Sequence, residues 1–285
     1  MNVMPFQILR LRSSWPSGVV RSVFLSIVVL AGALPAHAQF RPSNLPAPGE
    51  EYHVEGAASF WSATPDLIIA SESLGIEGDD VDLINDLGIE KKQLPELRLV
   101  LRPGRKHKFR LNYIPIRYEA TSVVQREFIF NGQRFRLGLP VNTSVDLTTI
   151  RAGYEYDFIH RDRGYAGVIL DVKYTNIDVE LASPIGNEFL QSVAPIPTIG
   201  FAGRGYIVPA VSITGEVTFF KVPENLGGED FGGRYFDLDI YGTVNFNRFV
   251  GVQLGYKSID VNYFTDLDRG DLVFKGLYFG AVVRY

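Results

Sequence analysis

Residues 276–285, GLYFGAVVRY, carry an apolar or aromatic side chain at every second position. These positions are Leu277, Phe279, Ala281, Val283 and Tyr285, and Arg284 is the one charge among the intervening residues. Alternation over this length is typical of a β-strand whose two faces meet different surroundings. The stretch therefore predicts a strand with one wholly apolar face.

The same alternation recurs along the chain after Glu51. Nine further segments show it, around residues 52–60, 97–101, 109–113, 150–158, 166–174, 199–203, 211–219, 236–246 and 250–256. Their apolar positions carry no charge, whereas the interleaved positions, together with Arg284, supply sixteen charged residues. These are Glu55, Arg98, Arg102, Lys108, Arg110, Arg151, Glu155, Asp157, Asp171, Lys173, Arg204, Glu216, Asp237, Asp239, Lys257 and Arg284. One face of the predicted strands is thus uncharged and the other is rich in charge.

Two features favour apolar faces that meet lipid over a soluble sandwich, whose apolar faces point inward. Aromatic residues stand toward the segment ends, as girdles at two membrane interfaces would require. They are Tyr52, Tyr113, Phe158, Tyr174, Phe219, Phe246, Tyr256 and Tyr285. The connections also alternate between short turns and longer ones of roughly 12 to 30 residues. We therefore predict an all-β protein, a transmembrane antiparallel up-and-down β-barrel of about ten strands, with eight or twelve as alternatives.

The first 38 residues predict a secretory signal. Its basic residues are arginines that precede an apolar run from Val23 to Leu34, and Ala36-His37-Ala38 provides a cleavage site. The run is too short for a spanning helix, which needs about twenty residues. We expect residues 1–38 to be a signal peptide, 39–50 a short flexible lead-in and 51–285 the barrel domain.

Composition narrows the possible functions. The chain has no cysteine, so disulfides, thiolate metal sites and thiol catalysis are excluded. Without residues 1–38 it has 25 basic and 32 acidic residues, a net charge of −7 with histidine neutral. This balance gives no sign of nucleic-acid binding. No cofactor is predicted.

Some connections predict structure of their own. Residues 79–88, DDVDLINDLG, predict a short helix with Asp79 or Asp80 as its N-cap and Gly88 after its end. Residues 128–137 predict a hairpin that projects beyond the membrane, with Asn131-Gly132 in a type I′ turn. At Pro115 the apolar phase changes, which indicates a bulge or a strand leaving the bilayer.

With its signal segment, its ten alternating strands and the ending GLYFGAVVRY, the chain resembles small bacterial outer-membrane β-barrel proteins of the porin-like kind. The resemblance implies location in the cell outer membrane, among lipid and lipopolysaccharide. It also implies that the last strand, through Leu277, Phe279, Ala281, Val283 and Tyr285, is an assembly signal for the barrel-assembly machinery. It is architectural and brings no catalytic or ligand motif.

The inward charges predict a partly buried network in the lumen. A barrel of about ten strands is narrow enough for side chains to fill it, and unpaired buried charges cost several kcal/mol. We expect a structural plug, and the alternative is a water-filled path that passes small solutes slowly. The predicted role is therefore structural or interactive at the cell surface.

A barrel enzyme, of the lipid A deacylase, phospholipase or protease type, is the first competing hypothesis. Such enzymes use a histidine to activate serine or water. Beyond the predicted signal the histidines are His53, His107 and His160, all predicted at the periplasmic end, away from the cell surface. We therefore predict no enzyme. His53 is near enough in sequence to pair with Glu55, in which case a structural contact is favoured, and His107 is expected to be exposed in a basic turn. A soluble exported β protein is the second competitor.

Three further motifs have plain interpretations. Acidic residues crowd 72–90 and 260–271, but no spacing matches a calcium-binding loop, so a solvated rim is favoured. The tripeptide Arg269-Gly270-Asp271 is too short to predict adhesion. Residues 225–233, NLGGEDFGG, lack the features of a phosphate-binding loop and predict a mobile loop over the barrel mouth.

Overall fold

The computed structural model describes residues 47–73, 75–222 and 232–285. The predicted signal peptide, the lead-in up to residue 46 and most of the glycine-rich segment 225–233 lie outside the described residues. Within the described ranges, no helix is long and apolar enough to cross a membrane.

Ten long antiparallel strands form one sheet. They are β1 (Val54–Ser71), β2 (Lys92–Gly104), β3 (His107–Val123), β4 (Pro140–Arg161), β5 (Gly164–Ser183), β6 (Gly186–Val208), β7 (Val211–Lys221), β8 (Gly232–Asn245), β9 (Val250–Phe264) and β10 (Asp268–Arg284). Each pairs with its neighbours along the chain, and β10 pairs back with β1. The prediction of a ten-stranded up-and-down barrel is confirmed.

The seam between the first and last strands is continuous. Glu55 stands opposite Arg284, and pairing runs on to Ser71 opposite Asp268. The backbone of Tyr285 completes the seam: its carbonyl accepts from the N–H groups of His53 and Val54 at 2.6 and 2.9 Å, and its N–H donates to Val54 at 2.8 Å. Closure leaves the barrel without an exposed strand edge.

The outer face carries an apolar belt around the half of the barrel that holds the short turns. Central members are Phe60, Leu170 and Leu277, which are 52%, 55% and 62% exposed. Seven of the eight aromatic residues predicted to form girdles are exposed as expected. Tyr52 is the exception: it is buried beneath Arg102, because β1 begins only at Val54 and the preceding chain turns into the barrel. Such a belt is the reverse of a soluble sandwich, whose apolar face is hidden.

We call the end with turns 105–106, 162–163, 209–210 and 246–249 the short-turn end, and the opposite end the distal end. Two predicted long connections at the distal end are wrong. β5 and β6 are joined by residues 184–185, and β9 and β10 by residues 265–267. The strands are longer instead, and β4, β5 and β6 have 22, 20 and 23 residues. On β4 and β5 the distal outward positions are mostly polar, so the apolar pattern ends before the strands do, whereas β6 keeps Val193 and Phe189 exposed on its distal outer face.

The predicted helix at 79–88 is also wrong. Val81 and Asp82 form a short strand that pairs with Ile69 and Ile68 of β1. A turn follows in which Asp82, not Asp79 or Asp80, accepts hydrogen bonds from the N–H groups of Ile84 and Asn85 at 2.9 and 3.0 Å. Burial acts to raise the pKa of Asp82, but the N–H groups of Asn85 and Ile84 hold it below its ordinary value.

The hairpin Phe128–Phe130 and Gln133–Phe135 forms as predicted but points elsewhere. Asn131 and Gly132 have φ of 49° and 79°, which confirms the type I′ turn. The hairpin does not project outward: Phe128, Phe130 and Phe135 are buried, and the rings of Phe128 and Phe135 stack 5.1 Å apart. Its aromatic side chains fill the distal mouth because they bury apolar surface there.

Pro115 marks no bulge. β3 and β4 pair without a register shift from His107 opposite Tyr156 to Val123 opposite Pro140. Tyr113 stays outside, while Ile114 and Ile116 point inward and are buried. The change of apolar phase after Tyr113 therefore marks a position along β3. On its distal side the inward-facing residues are apolar instead of charged, and the outward-facing residues are mostly polar. This agrees with a strand leaving the bilayer.

Candidate functional site

The barrel interior at the level of the apolar belt holds the charged residues predicted for the lumen. All sixteen are buried, each at most 9% exposed. Two further buried carboxylates, Glu50 and Glu96, join them. These eighteen residues, the interior charge network, comprise nine bases and nine acids. The network is therefore neutral as a set.

Sequence reasoning missed the two added acids for different reasons. Glu96 continues the inward alternation of Arg98 and Arg102 on β2, but the apolar pattern used to locate that strand began at Leu97. Extending the alternation by one position would have found it. Glu50 lies in the turn Pro48–Glu50 before β1, where no periodic signal exists.

Glu216 on β7 is the most highly connected acid of the network. Its Oε1 lies 2.5 Å from Nη2 of Arg110 and 3.8 Å from Nη1 of Arg98. Its Oε2 lies 3.9 Å from Nη1 of Arg151, and the hydroxyl of Tyr241 donates to Oε1 at 3.4 Å. One carboxylate thus faces three arginines from strands β2, β3 and β4 across the lumen.

Further ion pairs lie on both sides of Glu216 and its three arginines. Lys108 Nζ lies 2.7 Å from Glu155 and 2.9 Å from Asp157, and Arg110 also bonds Glu155. On the other side Lys257 contacts Glu96 and Asp239. Because each base has a carboxylate partner, the network avoids the several kcal/mol that an unpaired buried charge costs.

Three more groups complete the network. Lys173 Nζ lies 2.7 Å from Asp237 and donates to Thr218 at 2.7 Å. Arg151 bonds Asp171, which also accepts from Thr198. At the seam, Glu55 pairs with Arg204 at 3.2 Å and with Arg284 at 2.5 Å.

Above the network, the distal half of the interior is an apolar core. Trp61, Leu94, Ile116, Tyr118 and Phe274 from the barrel wall are buried there against the hairpin and the 81–89 turn. The Trp61 indole N–H donates to the carbonyl of Gly276 at 3.2 Å. Side chains therefore fill the interior on both levels, charged below and apolar above.

The residues that precede β1 close the short-turn end. Ala47 and Glu50 are buried, and the Ala47 N–H donates to the Asp162 carbonyl at 2.9 Å. Arg102 Nη1 donates to the Glu50 carbonyl at 2.6 Å, and Arg204 Nη1 lies 3.5 Å from its carboxylate. The last four residues of the predicted lead-in thus form part of the barrel.

The three histidines lie at the short-turn end, as predicted, and are held by separate contacts. His53 does not pair with Glu55: its Nδ1 lies 3.3 Å from the Arg102 carbonyl, and Glu55 binds arginines instead. His160 Nε2 lies 3.1 Å from Arg102 Nη2. His107 is exposed, as expected, with Nδ1 2.6 Å from the Tyr154 hydroxyl. None of the three has a serine partner among the described residues.

The other motifs are structural where the chain is described. Arg269-Gly270-Asp271 lies within β10, paired on both sides, and Arg269 contacts Asp80 at 3.2 Å. In the acidic loop, Asp86 pairs with Arg126 at 2.7 Å. The described residues contain no group of three or more histidine, aspartate or glutamate side chains placed to hold a metal ion.

Comparison with known proteins identifies the fold. No family model matches the sequence, and no curated protein matches it. Among solved structures, the outer membrane protease OmpT from Escherichia coli aligns at 7% identity over 81% of this chain and 96% of its own, with a TM-score of 0.54. The translocator domain of the autotransporter NalP from Neisseria meningitidis aligns at 8% identity over 94% and 96%, with a TM-score of 0.45.

The closed ten-stranded barrel and its exposed apolar belt define the class of protein: an integral β-barrel of the outer membrane. The likeness to OmpT shows the same fold. In this class the short turns face the periplasm and the distal end faces outward.

Proposed function

We propose that this protein is a closed barrel with a structural or surface-interaction role, not an open channel. The observation that supports this is the filled interior. The charge network occupies the level of the apolar belt, the apolar core occupies the distal half, and residues 47–50 occupy the short-turn mouth. In a closed barrel, contacts with other molecules are made by the outer surface. Small solutes pass through the lumen slowly at most.

Planar-bilayer recording tests the closed lumen. The refolded full-length barrel should show no steady single-channel openings, because ion passage requires a continuous water path and paired side chains occupy the lumen. A general porin inserted in the same bilayer is the positive control. Steady openings of uniform size at low voltage would contradict the proposal and favour the solute-path alternative.

An enzymatic role is not proposed. OmpT is described as a protease, but a likeness at 7% identity extends to the fold only. The described histidines bind Arg102 or Tyr154 at the short-turn end, whereas an enzyme acting at the cell surface would need its base at the distal end. Replacing His53, His107 and His160 together should therefore leave lipid and peptide hydrolysis at the background level seen for the unaltered protein.

The proposed partners are those of a barrel in this membrane: lipid along the belt, lipopolysaccharide around the outer half and the barrel-assembly machinery during insertion. The proposed assembly signal is the exposed face of β10, with Leu277 and Phe279, together with Tyr285 directly after the strand. Tyr285 is 85% exposed, so its ring contributes little to the folded barrel.

Tyr285→Ala tests whether the Tyr285 side chain acts in barrel assembly and not in the stability of the folded barrel. It keeps the three backbone hydrogen bonds of the seam, which deletion of the residue would remove. We expect a lower yield of inserted barrel in cells, with an unchanged urea midpoint for barrels that do insert. Val250→Ala, also on the exposed face near the short-turn end, is the control. Equal yields for the two variants would overturn the assigned signal.

A further inference from the structure

A cleft of about 420 Å³ opens at the short-turn end, between the residues before β1 and the turns that follow β2 and β4. Its lining carries both signs of charge. Arg102, Arg105 and Arg161 supply cations, and Glu50, Glu51 and Asp162 supply carboxylates. Neither a purely anionic nor a purely cationic ligand would match such a surface.

The floor of the cleft is rigid. Arg102 is 5% exposed and is held by the Glu50 carbonyl at 2.6 Å, the Arg105 carbonyl at 3.2 Å and the His160 ring. Glu50 is 6% exposed, and its Oε2 has no hydrogen-bond partner among the described residues, the Nη1 of Arg102 lying 3.8 Å away. A buried carboxylate without its full set of hydrogen bonds adds negative charge beneath the cleft, which favours a ligand that brings a cation.

The mouth of the cleft offers unpaired cations. Arg105 and Arg161 are exposed and have no carboxylate within ion-pair distance in the described part of the chain. This sets them apart from the bases of the interior network, which are all paired. An arginine guanidinium binds phosphate through two parallel hydrogen bonds, so these two residues suit a phosphate group.

The position of the cleft indicates where its ligand comes from. Tyr285 both lines the cleft and belongs to the exposed apolar face, at 85% exposure. His53, beside it, is exposed as well. A headgroup seated in the cleft can therefore remain attached to acyl chains that lie along the belt, at the level where aromatic side chains meet headgroups.

From the mixed charge, the carboxylates of Glu50 and Glu51 and the contact with the belt, we propose that this cleft binds a zwitterionic phospholipid headgroup with a primary ammonium, of the phosphoethanolamine type. The phosphate meets Arg105 and Arg161 at the mouth. The ammonium donates to the exposed carboxylate of Glu51, and the buried carboxylate of Glu50 adds negative charge beneath it. A choline headgroup carries no N–H, and a glycerol headgroup carries no cation, so each loses the second half of this recognition.

Lipid binding to the full-length barrel in detergent tests the site. Phosphatidylethanolamine, phosphatidylcholine and phosphatidylglycerol with identical acyl chains are titrated separately, and bound lipid is counted by native mass spectrometry. Phosphatidylethanolamine should bind about tenfold more tightly than either of the others, the effect of about one charge-assisted hydrogen bond. Equal binding of all three, or tighter binding of phosphatidylglycerol, would overturn the proposal.

Two arginine variants test whether the lipid binds in this cleft. Arg161→Gln should weaken phosphatidylethanolamine binding about tenfold, whereas Arg248→Gln should leave it unchanged. Arg248 is also an exposed arginine at the short-turn end, but it lies in the turn between β8 and β9, outside the cleft. Heat-modifiable migration on a gel verifies that both variants fold. Equal loss in both would indicate general attraction to the rim and refute a built site.

Competition with inorganic phosphate distinguishes a lipid-binding site from a simple anion site. Inorganic phosphate should not displace the bound lipid at millimolar concentration, because it lacks the ammonium and the acyl chains. Displacement would show that the cleft is a simple anion site and would overturn the lipid assignment. None of these outcomes depends on whether the lumen conducts, so the closed-barrel proposal and this one fail separately.

Discussion

Replacing Glu216 by glutamine is expected to lower the free energy of unfolding of the inserted barrel by about 3–5 kcal/mol, the usual cost of breaking a buried ion pair from one side. Glutamine keeps the size of the side chain, removes its charge and replaces one acceptor oxygen by an NH2 donor. Arg98, Arg110 and Arg151, all buried, would then face one another with less compensating charge. Urea titration of the barrel refolded into lipid vesicles measures the change.

Asp146→Asn is the matched control for that substitution. Asp146 also pairs with an arginine, Arg117, but the pair lies on the outer wall with side chains 27% and 64% exposed. An exposed pair contributes only about 0–1 kcal/mol. If the two variants lost equal stability, the interior network would be as well solvated as the surface, and the closed lumen would be refuted.

A double substitution keeps the test informative if Glu216→Gln alone fails to assemble. Adding Arg110→Met removes one of the three arginines and restores the balance of charge, while Lys108 remains to pair with Glu155. The double variant should be more stable than the sum of the two single changes predicts, since contacting residues are not additive. Strict additivity would show that Glu216 and Arg110 do not interact.

The belt and the strand number could be predicted from the sequence because a period of two needs no long-range information. Leu170 and Asp171 fall on opposite faces of β5 whatever the rest of the chain does. The same rule misled at the distal ends. There the outside of β4 and β5 is mostly polar, as at Glu180, and the inside is apolar, as at Val179, so the strand continues while the pattern inverts.

The pairing within the interior could not be predicted. Glu216 meets Arg98 and Arg110 across the lumen, from strands that are not its neighbours in the sheet. Such contacts depend on the stagger of all ten strands and on side-chain length, neither of which a single strand encodes. The inward fold of the 128–135 hairpin was missed for a related reason: its turn chemistry is local, but its burial depends on the shape of the mouth.

The second large effect is expected on the outer face, at Leu170. Leu170 is the middle of the five apolar outward positions on β5, from Ala166 to Tyr174, and is 55% exposed. An arginine at the bilayer midplane on a lipid-facing site costs about 2–4 kcal/mol. Leu170→Arg should therefore lower the unfolding free energy in vesicles by that amount and reduce the fraction of heat-modifiable barrel in cells.

Glu180→Arg shows whether the loss of stability caused by Leu170→Arg depends on the position of the arginine relative to the bilayer. Glu180 has the same orientation on the same strand and is exposed, but it stands ten residues, about 33 Å, toward the distal end. In the vesicles it lies beyond the belt, in water, so an arginine there should change stability by less than about 0.5 kcal/mol, as surface substitutions usually do. Both variants introduce the same side chain into the same strand. A difference between their stabilities would therefore come from their surroundings, which are lipid at position 170 and water at position 180. Equal stability for the two would mean that the exposed apolar face does not meet lipid.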